Sequence, residues 1–427
     1  MIINLNERLN ILNLPHYNMI NEVKKKKKLL VVTSTFPRWK NDTIPHFVFE
    51  LSKRLTDEFD VYVLAPHYPG AKSFEILDNM KVYRFKYFLT KYQKLAGNTA
   101  ILPTLQKNKW FYFQVPFFLI GEFLALYRLT KKIKPDIIHA HWIIPQGFVA
   151  ALNKKITGVR YIVTSWGGDM FVFKKQGFLT NLLKKVYSFI LNNSKKSTSV
   201  NMVFLDEMKR VANDKDKVVY IPNGIDTELF NPKKKDLLIK EKYKIEDSFL
   251  LFVGRLSEKK GVRYLIEAMS EVVKKSPKVK LMIIGKGELE SELKDLTKKL
   301  KMENSIIFTG AIPNKELPRY YATADIFIAP SITTKDGDRE GFPTVFLEAM
   351  ACGNSIITTR IDGIENIIQD GINGYIVNQK SSKELARELI ELIQNRKSIK
   401  SGKDTFILIK NNYDWSIIKN RYKEILI

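Results

Sequence analysis

The stretch Ser248-Phe249-Leu250-Leu251-Phe252-Val253-Gly254-Arg255-Leu256-Ser257-Glu258-Lys259-Lys260-Gly261 decides the fold. Its first half is a continuous apolar run, which reads as a strand buried on both faces. The run breaks at Gly254 into a polar turn, and helical periodicity follows over residues 262–273. Strand, turn and helix make one unit of a parallel sheet. Working outward, the same rhythm places strands upstream at residues 29–34, 61–65, 81–85, 137–140, 161–164, 198–201 and 218–221. After Pro222-Asn223-Gly224 and a polar run over 231–247 it restarts, with strands at 249–253, 280–284, 306–308, 326–329, 355–358 and 375–377. The chain is therefore expected to be α/β, with two Rossmann-like, doubly wound parallel-sheet domains facing across a cleft. The boundaries read as an extension over 1–28, a first domain over 29–221, a linker over 222–247, a second domain over 248–410 and a closing segment over 411–427.

Open α/β sheets bind ligands outside the carboxyl ends of their strands, so Arg255 and Lys260 are placed to meet phosphate oxygens. Arg grips two oxygens with a planar fork and Lys acts as a point charge. Lys259 reads as a surface cation. No Gly-x4-Gly-Lys-Ser/Thr run occurs, which excludes a P-loop.

A second stretch, Arg339-Glu340-Gly341-Phe342-Pro343-Thr344-Val345-Phe346-Leu347-Glu348-Ala349-Met350, carries two carboxylates with seven residues between them. Pro343 suits the first position of a helix, and residues 345–352 read as a buried helix closed by Gly353. Glu340 then lies in the loop and Glu348 about a turn and a half inside, with their carboxylates roughly 10 Å apart. That is at or beyond the roughly 6.5–9.5 Å of a hydrolytic acid/base pair, and better matched to the two ends of one long ligand. The helix N-terminus between them offers free N–H groups to an anion such as a diphosphate.

Four motifs in order, Gly254-Arg255-Leu256 with Lys260-Gly261, Ile284-Gly285-Lys286-Gly287-Glu288, Pro330-Ser331, and Glu340-Gly341-Phe342-Pro343 with Glu348-Ala349-Met350-Ala351-Cys352-Gly353, resemble the retaining GT-B glycosyltransferases of family 4. The resemblance runs from Leu29 to the C-terminus. It implies a donor site in which Glu340 contacts the sugar and Glu348 the ribose. Gly254, Arg255 and Lys260 would hold the diphosphate and Gly285, Gly287 and Glu288 would lie near the base, with Gly341, Phe342, Pro343 and Thr344 completing the pocket. It also implies that the last helix, from Asp414-Trp415 onward, crosses back to the first domain.

The acceptor side is read from the first domain. All five histidines, His16, His46, His67, His139 and His141, lie there or just before it. In Asp136-Ile137-Ile138-His139-Ala140-His141-Trp142 the two histidines share one face of a strand. His141, at its carboxyl end, resembles the family histidine that contacts the donor sugar, and joins Glu340, Arg255 and Lys260 as a catalytic candidate. Two segments depart from the family pattern. In Val163-Thr164-Ser165-Trp166-Gly167-Gly168-Asp169, Trp166 stands where the family usually has His; it is expected to stack on a sugar or lipid, with Asp169 nearby. The usual glycine-rich turn after the first strand is replaced by Thr35-Phe36-Pro37-Arg38-Trp39-Lys40-Asn41-Asp42-Thr43, where Asn41 and Thr43 can cap the next helix.

Composition fits such an enzyme. A chain of 427 residues that is 45% hydrophobic can fill two cores. Its single cysteine, Cys352, excludes an internal disulfide. No histidine or cysteine cluster has zinc-ligand spacing, so neither metal nor cofactor is expected. No secretory-signal pattern is found, which points to the cytoplasm. The net charge of +25 is concentrated in places: Lys24 to Lys28 form a run, and Lys131-Lys132-Ile133-Lys134 follow the aromatic stretch 110–129. Basic flanks beside aromatic residues hold anionic lipid surfaces, so peripheral contact with the inner face of the membrane is expected. Gln114, Pro116 and Glu122 argue against a spanning helix.

The reading is a retaining, metal-independent glycosyltransferase. It moves a hexose-type sugar from a nucleoside diphosphate sugar to a glycan or lipid-linked acceptor in cell-surface polysaccharide or lipopolysaccharide synthesis, without a nucleic-acid partner. The alternatives are a nucleotide-sugar epimerase of the same fold, which needs no acceptor, and a basic lipid- or nucleic-acid-binding protein, which leaves the ordered motifs unexplained.

Overall fold

The structure is a computed structural model. It describes residues 26–427 except 41, 43–46, 97–100, 102–103, 106–107, 168–176, 336, 341–342 and 396–401. The first sheet contains β1 (Lys27–Val32), β2 (Phe59–Pro66), β3 (Phe74–Leu77), β4 (Met80–Phe85), β5 (Ile137–His141), β6 (Tyr161–Ser165), β7 (Lys196–Ser199) and β8 (Val218–Tyr220). Their order is β3-β4-β2-β1-β5-β6-β7-β8. The second contains β9 (Phe249–Val253), β10 (Lys280–Ile284), β11 (Ile306–Gly310), β12 (Ile326–Ala329), β13 (Ser355–Thr359) and β14 (Tyr375–Val377), in the order β11-β10-β9-β12-β13-β14. Every strand expected from the sequence is present with its ends within two residues.

Among the described strands all pairings are parallel except one. The edge strand β3, absent from the sequence reading, pairs antiparallel with β4 through a two-residue turn, Asp78-Asn79, with φ of 43° and 65°. Two positive φ values in succession fit a hairpin turn that follows the sheet's twist. Its four residues are exposed or half-buried throughout.

Buried apolar runs follow from burial on both sheet faces. Leu30 and Val32 pack with Phe118, Leu126, Leu129 and Ile133 of the helix Gln114–Ile133. Leu29 and Val31 face the other way, toward Val48 and Leu51 of the helix Phe47–Leu55 and toward Trp415, Ile418 and Tyr422 of the helix Trp415–Leu426. The last helix of the chain thus completes the first domain's core. In the second domain, the helices Val262–Lys275 and Ser382–Asn395 cover one face of the sheet. The other face is covered by Thr344–Ala351 and by Ile409 of Gly402–Tyr413. Phe230, Ile239 and Ile245, from the polar segment between the sheets, are buried in this same core.

Two chain crossings join the domains, and they are bonded to each other. Ile225 N–H donates to Tyr413 O at 2.8 Å, Trp415 N–H to Ile225 O at 3.0 Å, and the Thr227 hydroxyl to Asp414 at 2.5 Å. Gly224 lies flat on the Trp415 indole, where an added Cβ would come within 2.4 Å of the ring. Trp415→Ala is expected to destabilise the protein by about 3–5 kcal/mol, the usual loss for a buried aromatic residue. A lowered urea midpoint checks it, and an unchanged midpoint would show that the crossing contributes little.

Candidate active site

At the carboxyl end of the second sheet, three turns are locked together through their backbones. Gly254 N–H donates to Ile284 O at 3.0 Å, Leu256 N–H to Lys286 O at 3.0 Å, and Ile332 N–H to Lys259 O at 2.8 Å. Glycines make this approach possible. Gly285 has φ of 142°, and a Cβ there would stand 1.9 Å from Gly254 O; Gly261, at 64°, would meet Pro330 O at the same distance. The glycine motifs therefore set one turn against another, and with them the cations that the turns carry.

Lys260 Nζ lies 3.1 Å from Glu340 Oε2, with the two side chains only 15% and 11% exposed. Lys259 is more than a surface cation: its Nζ is 3.2 Å from Asp338 Oδ1 and 3.9 Å from Glu340 Oε1. Arg255 and Glu288 approach each other at 4.0 Å and remain open to solvent. Glu340 Oε1 accepts no hydrogen bond from the described residues.

Their surroundings shift the two carboxyls in opposite directions. Burial pushes the Glu340 carboxyl up, but the charges of Lys260, Lys259 and Arg255 outweigh it and hold the group below its ordinary value. For Glu348 burial wins, and its carboxyl is raised despite a 2.8 Å hydrogen bond from the Tyr321 hydroxyl and the charge of Lys260. Lys260 acts on both groups, as a cation placed between them would. Pro343 sits one position earlier than the sequence implies. Its ψ of 103° is extended, so it caps the helix Thr344–Ala351 and does not begin it. Glu348 is then about one turn inside. Gly353, with φ of 84°, follows the helix as expected. Gly341 and Phe342 lie outside the described residues.

In the first domain, His139 and His141 stack with ring centroids 4.0 Å apart. Burial drives the His139 ring down to about 3 and His141 well below its ordinary value, so both are neutral. The Trp166 indole N–H donates to His141 Nδ1 at 3.1 Å. An indole nitrogen can only donate, so Nδ1 carries the lone pair and Nε2 the proton. Trp166 also packs on His141 at 5.7 Å and on Phe47 at 4.4 Å. Half-buried, Trp166 thus uses its N–H within the protein: the residue that stands in for a histidine fixes the tautomer of another. Behind it, His139 Nε2 meets the Thr164 hydroxyl at 2.8 Å, and Tyr422 of the last helix reaches Thr164 and Thr198 at 3.4 Å.

The loop after β1 is held by a two-pronged Arg38–Asp42 pair, both contacts at 2.7 Å, and by Arg84 donating to Pro37 O at 2.7 Å. Asn41, Thr43 and Asp169, expected on the acceptor side, lie outside the described residues. Across the cleft, the sequence reading missed a contact made by Arg339. This buried residue pairs with Asp362 and places its guanidinium 5.8 Å from the Phe204 ring of the first domain. Its position beside Glu340 was visible in the sequence; its partners come from distant segments.

Two Rossmann-like domains thus meet at a cleft lined by cation-bearing turns and a carboxylate-flanked helix start. The description Glycosyl transferases group 1 matches residues 233–405, and Glycosyltransferase Family 4 matches residues 45–229. The chain belongs to the group 1 glycosyltransferases and has their GT-B architecture. An uncharacterized glycosyltransferase of Methanocaldococcus jannaschii is 29% identical over 90% of this chain and 95% of its own length. The amylovoran biosynthesis glycosyltransferase AmsK of Erwinia amylovora is 27% identical over 72% of this chain and 75% of its own. Among solved structures, Anabaena HepE in complex with UDP aligns with a TM-score of 0.70 at 17% identity, covering 94% of this chain and 99% of that one.

The Lys260 pair has a pH signature. A carboxyl whose folded pKa is depressed contributes stability that is present above its unfolded value and lost as pH falls through the folded one. In Lys260→Met, burial of Glu340 is opposed only by Lys259 and Arg255, so the same group loses stability as pH rises. The melting gap between wild type and Lys260→Met should therefore be small near pH 4 and widen toward pH 7, to at most about 3 kcal/mol. A constant gap across that range would contradict the assignment. For His141, nitrogen-15 NMR should show one tautomer, protonated at Nε2, in the wild type and a mixture in Trp166→Phe. An unchanged spectrum would mean that the indole does not set the proton.

Proposed function

We propose that the protein is a retaining glycosyltransferase that moves a hexose-type sugar from a nucleoside diphosphate sugar to a glycan or lipid-linked acceptor of cell-surface polysaccharide synthesis. The observation that carries this is the Lys260–Glu340 pair at the start of the helix bearing Glu348, with Arg255 on the neighbouring turn. The bound UDP of the Anabaena neighbour supports the donor class, and the role named for AmsK supports the product class.

In this reading the diphosphate lies against Arg255, Lys260 and the free N–H groups at the start of the helix Thr344–Ala351. Arrival of the phosphates gives Lys260 a second anion to neutralise, loosening its hold on Glu340. That carboxylate then accepts hydrogen bonds from hydroxyls of the donor sugar. Glu348, a turn further on, accepts from the ribose. His141 presents a neutral N–H from the opposite domain. As the bond from sugar to phosphate lengthens, negative charge grows on the leaving diphosphate, and the fixed cations and helix N-terminus stabilise it; such preorganised terms are usually the largest in catalysis. The leaving diphosphate takes the proton from the acceptor hydroxyl, which attacks from the same face, and configuration is kept. The cations occupy the role that a divalent metal fills elsewhere.

UDP or GDP should raise the melting temperature, since a ligand at 100 times its Kd adds about 2.7 kcal/mol to the folded state. Arg255→Ala and Lys260→Ala should weaken that shift. Glu340→Gln should keep it while losing most turnover, and transfer should survive EDTA. Absence of a shift with every nucleoside diphosphate would sink the donor site. Loss of transfer in EDTA with recovery in magnesium or manganese would overturn the cation-only mechanism.

A further inference from the structure

The surface beside the acceptor side of the cleft is unusually apolar. Along the helix Gln114–Ile133 and the turn before it, Trp110, Tyr112, Phe113, Phe117, Ile120 and Leu124 are all exposed, Trp110 by 75%. From Phe113 onward the exposed positions include 113, 117, 120, 124, 128 and 131, spaced by three or four, so these six form a stripe on one helix face. The stripe is apolar up to Leu124 and then basic, at Arg128 and Lys131. It is about 27 Å long at 1.5 Å per residue. Leu89 and Tyr92 extend the patch sideways, with Phe88 packed 5.4 Å from Phe117.

Charge supplies a second, independent observation. Residues 86–134 contain nine Lys or Arg and one acid, Glu122. That acid is fully buried and accepts from Gln146 at 2.9 Å, so among the described residues of this segment no carboxylate faces outward. Exposed Lys86, Lys91, Lys94 and Lys109 surround the aromatic end.

We infer that this face docks in the headgroup layer of an anionic bilayer, with the helix Gln114–Ile133 lying in the membrane plane. The helix is long and apolar enough to cross a membrane by composition. Its opposite face, however, is Phe118, Leu126, Leu129 and Ile133, packed on the first sheet. A helix with one face in a protein core and a parallel stripe of aromatics lies on a membrane. Aromatic rings favour the headgroup level, and lysines near an anionic leaflet contribute about 1 kcal/mol each. A second copy of the chain fits poorly, because a two-fold contact would press one basic rim against another.

The structure redistributes the residues that the sequence assigned to this surface. Phe118 is core and Phe111 is half-buried. Lys28 donates to Ile133 O and Lys26 to Thr56 O, so both are engaged at the amino-end edge of the sheet. Lys24 and Lys25 lie outside the described residues. The aromatic end of the helix packs at the carboxyl end of β4, where Phe85 meets Phe118 at 5.4 Å, and His141 ends the parallel strand β5 at the same edge of the sheet. If the reading as a glycosyltransferase holds, a lipid-linked acceptor would reach the cleft without leaving its bilayer.

The test uses the full chain with vesicles of phosphatidylcholine alone or with about one-third phosphatidylglycerol. The protein should sediment with the anionic vesicles at low salt and be largely released above 0.15 M, where the Debye length falls below about 8 Å. The triple change Phe113→Ser, Phe117→Ser and Ile120→Ser removes only exposed side chains and should lower the partition coefficient at least tenfold, leaving the melting shift with UDP or GDP intact. Equal recovery in the supernatant with and without anionic vesicles would overturn the inference, as would equal sedimentation with both vesicle types. A concentration-dependent dimer that the triple change dissociates would assign the face to a second copy and overturn it too. The two readings fail separately: sedimentation without any nucleotide shift sinks the donor site alone, and a nucleotide shift without sedimentation sinks the docking face alone.

Discussion

Glu340 and Lys260 are both nearly removed from water, and each offsets part of the cost of burying the other's charge. Burying an isolated carboxylate or ammonium carries a penalty of several kcal/mol, which mutual attraction offsets only when the geometry is close. At 3.1 Å it is close. The pair draws the loop after β12 down onto the turn after β9, and Lys259 strengthens the attachment through Asp338. It also gives the site its chemical asymmetry, because the same cation that ionises Glu340 fails to overcome the burial of Glu348. One carboxylate is kept charged and the other drawn toward its neutral form by their surroundings, not by their residue type.

That pair could not form without the glycines. Arg255, Lys260 and Glu288 sit on turns whose backbones pass within hydrogen-bonding distance of each other, and at Gly261 and Gly285 any side chain would collide with a carbonyl oxygen. Close approach of bare backbone fixes where these cations leave the chain, with Arg255 exposed to solvent beside Glu288.

The first domain depends on the last helix of the chain. Trp415, Ile418 and Tyr422 fill the face of the sheet that Phe47–Leu55 leaves open, and Tyr422 reaches into the threonine network behind His139. The two crossings are hydrogen-bonded side by side, so movement of the domains relative to each other must work through a single narrow joint at Gly224 and Trp415. Arg339, reaching from the second domain to Phe204, makes a contact across the cleft.

The sequence by itself determined most strands, their parallel arrangement and the cation-bearing turn after β9, because buried parallel strands mostly leave apolar runs and turns follow them at fixed places. It could not show β3, whose half-exposed edge position leaves no such run, nor that Pro343 caps its helix from outside. Lys259 looked like any other surface lysine, since 70 residues are Lys or Arg and only the folded loop brings Asp338 and Glu340 to it. Trp166 was legible as a departure from the family pattern, but its use was not: whether an indole stacks on a ligand or donates to a histidine depends on where its N–H points. The same holds for the aromatic stretch 110–129, in which composition cannot separate Phe117 from Phe118. Only packing against the sheet puts one in the core and the other in solvent, and that choice is made by helix rotation, a property of tertiary contact that the linear sequence does not carry.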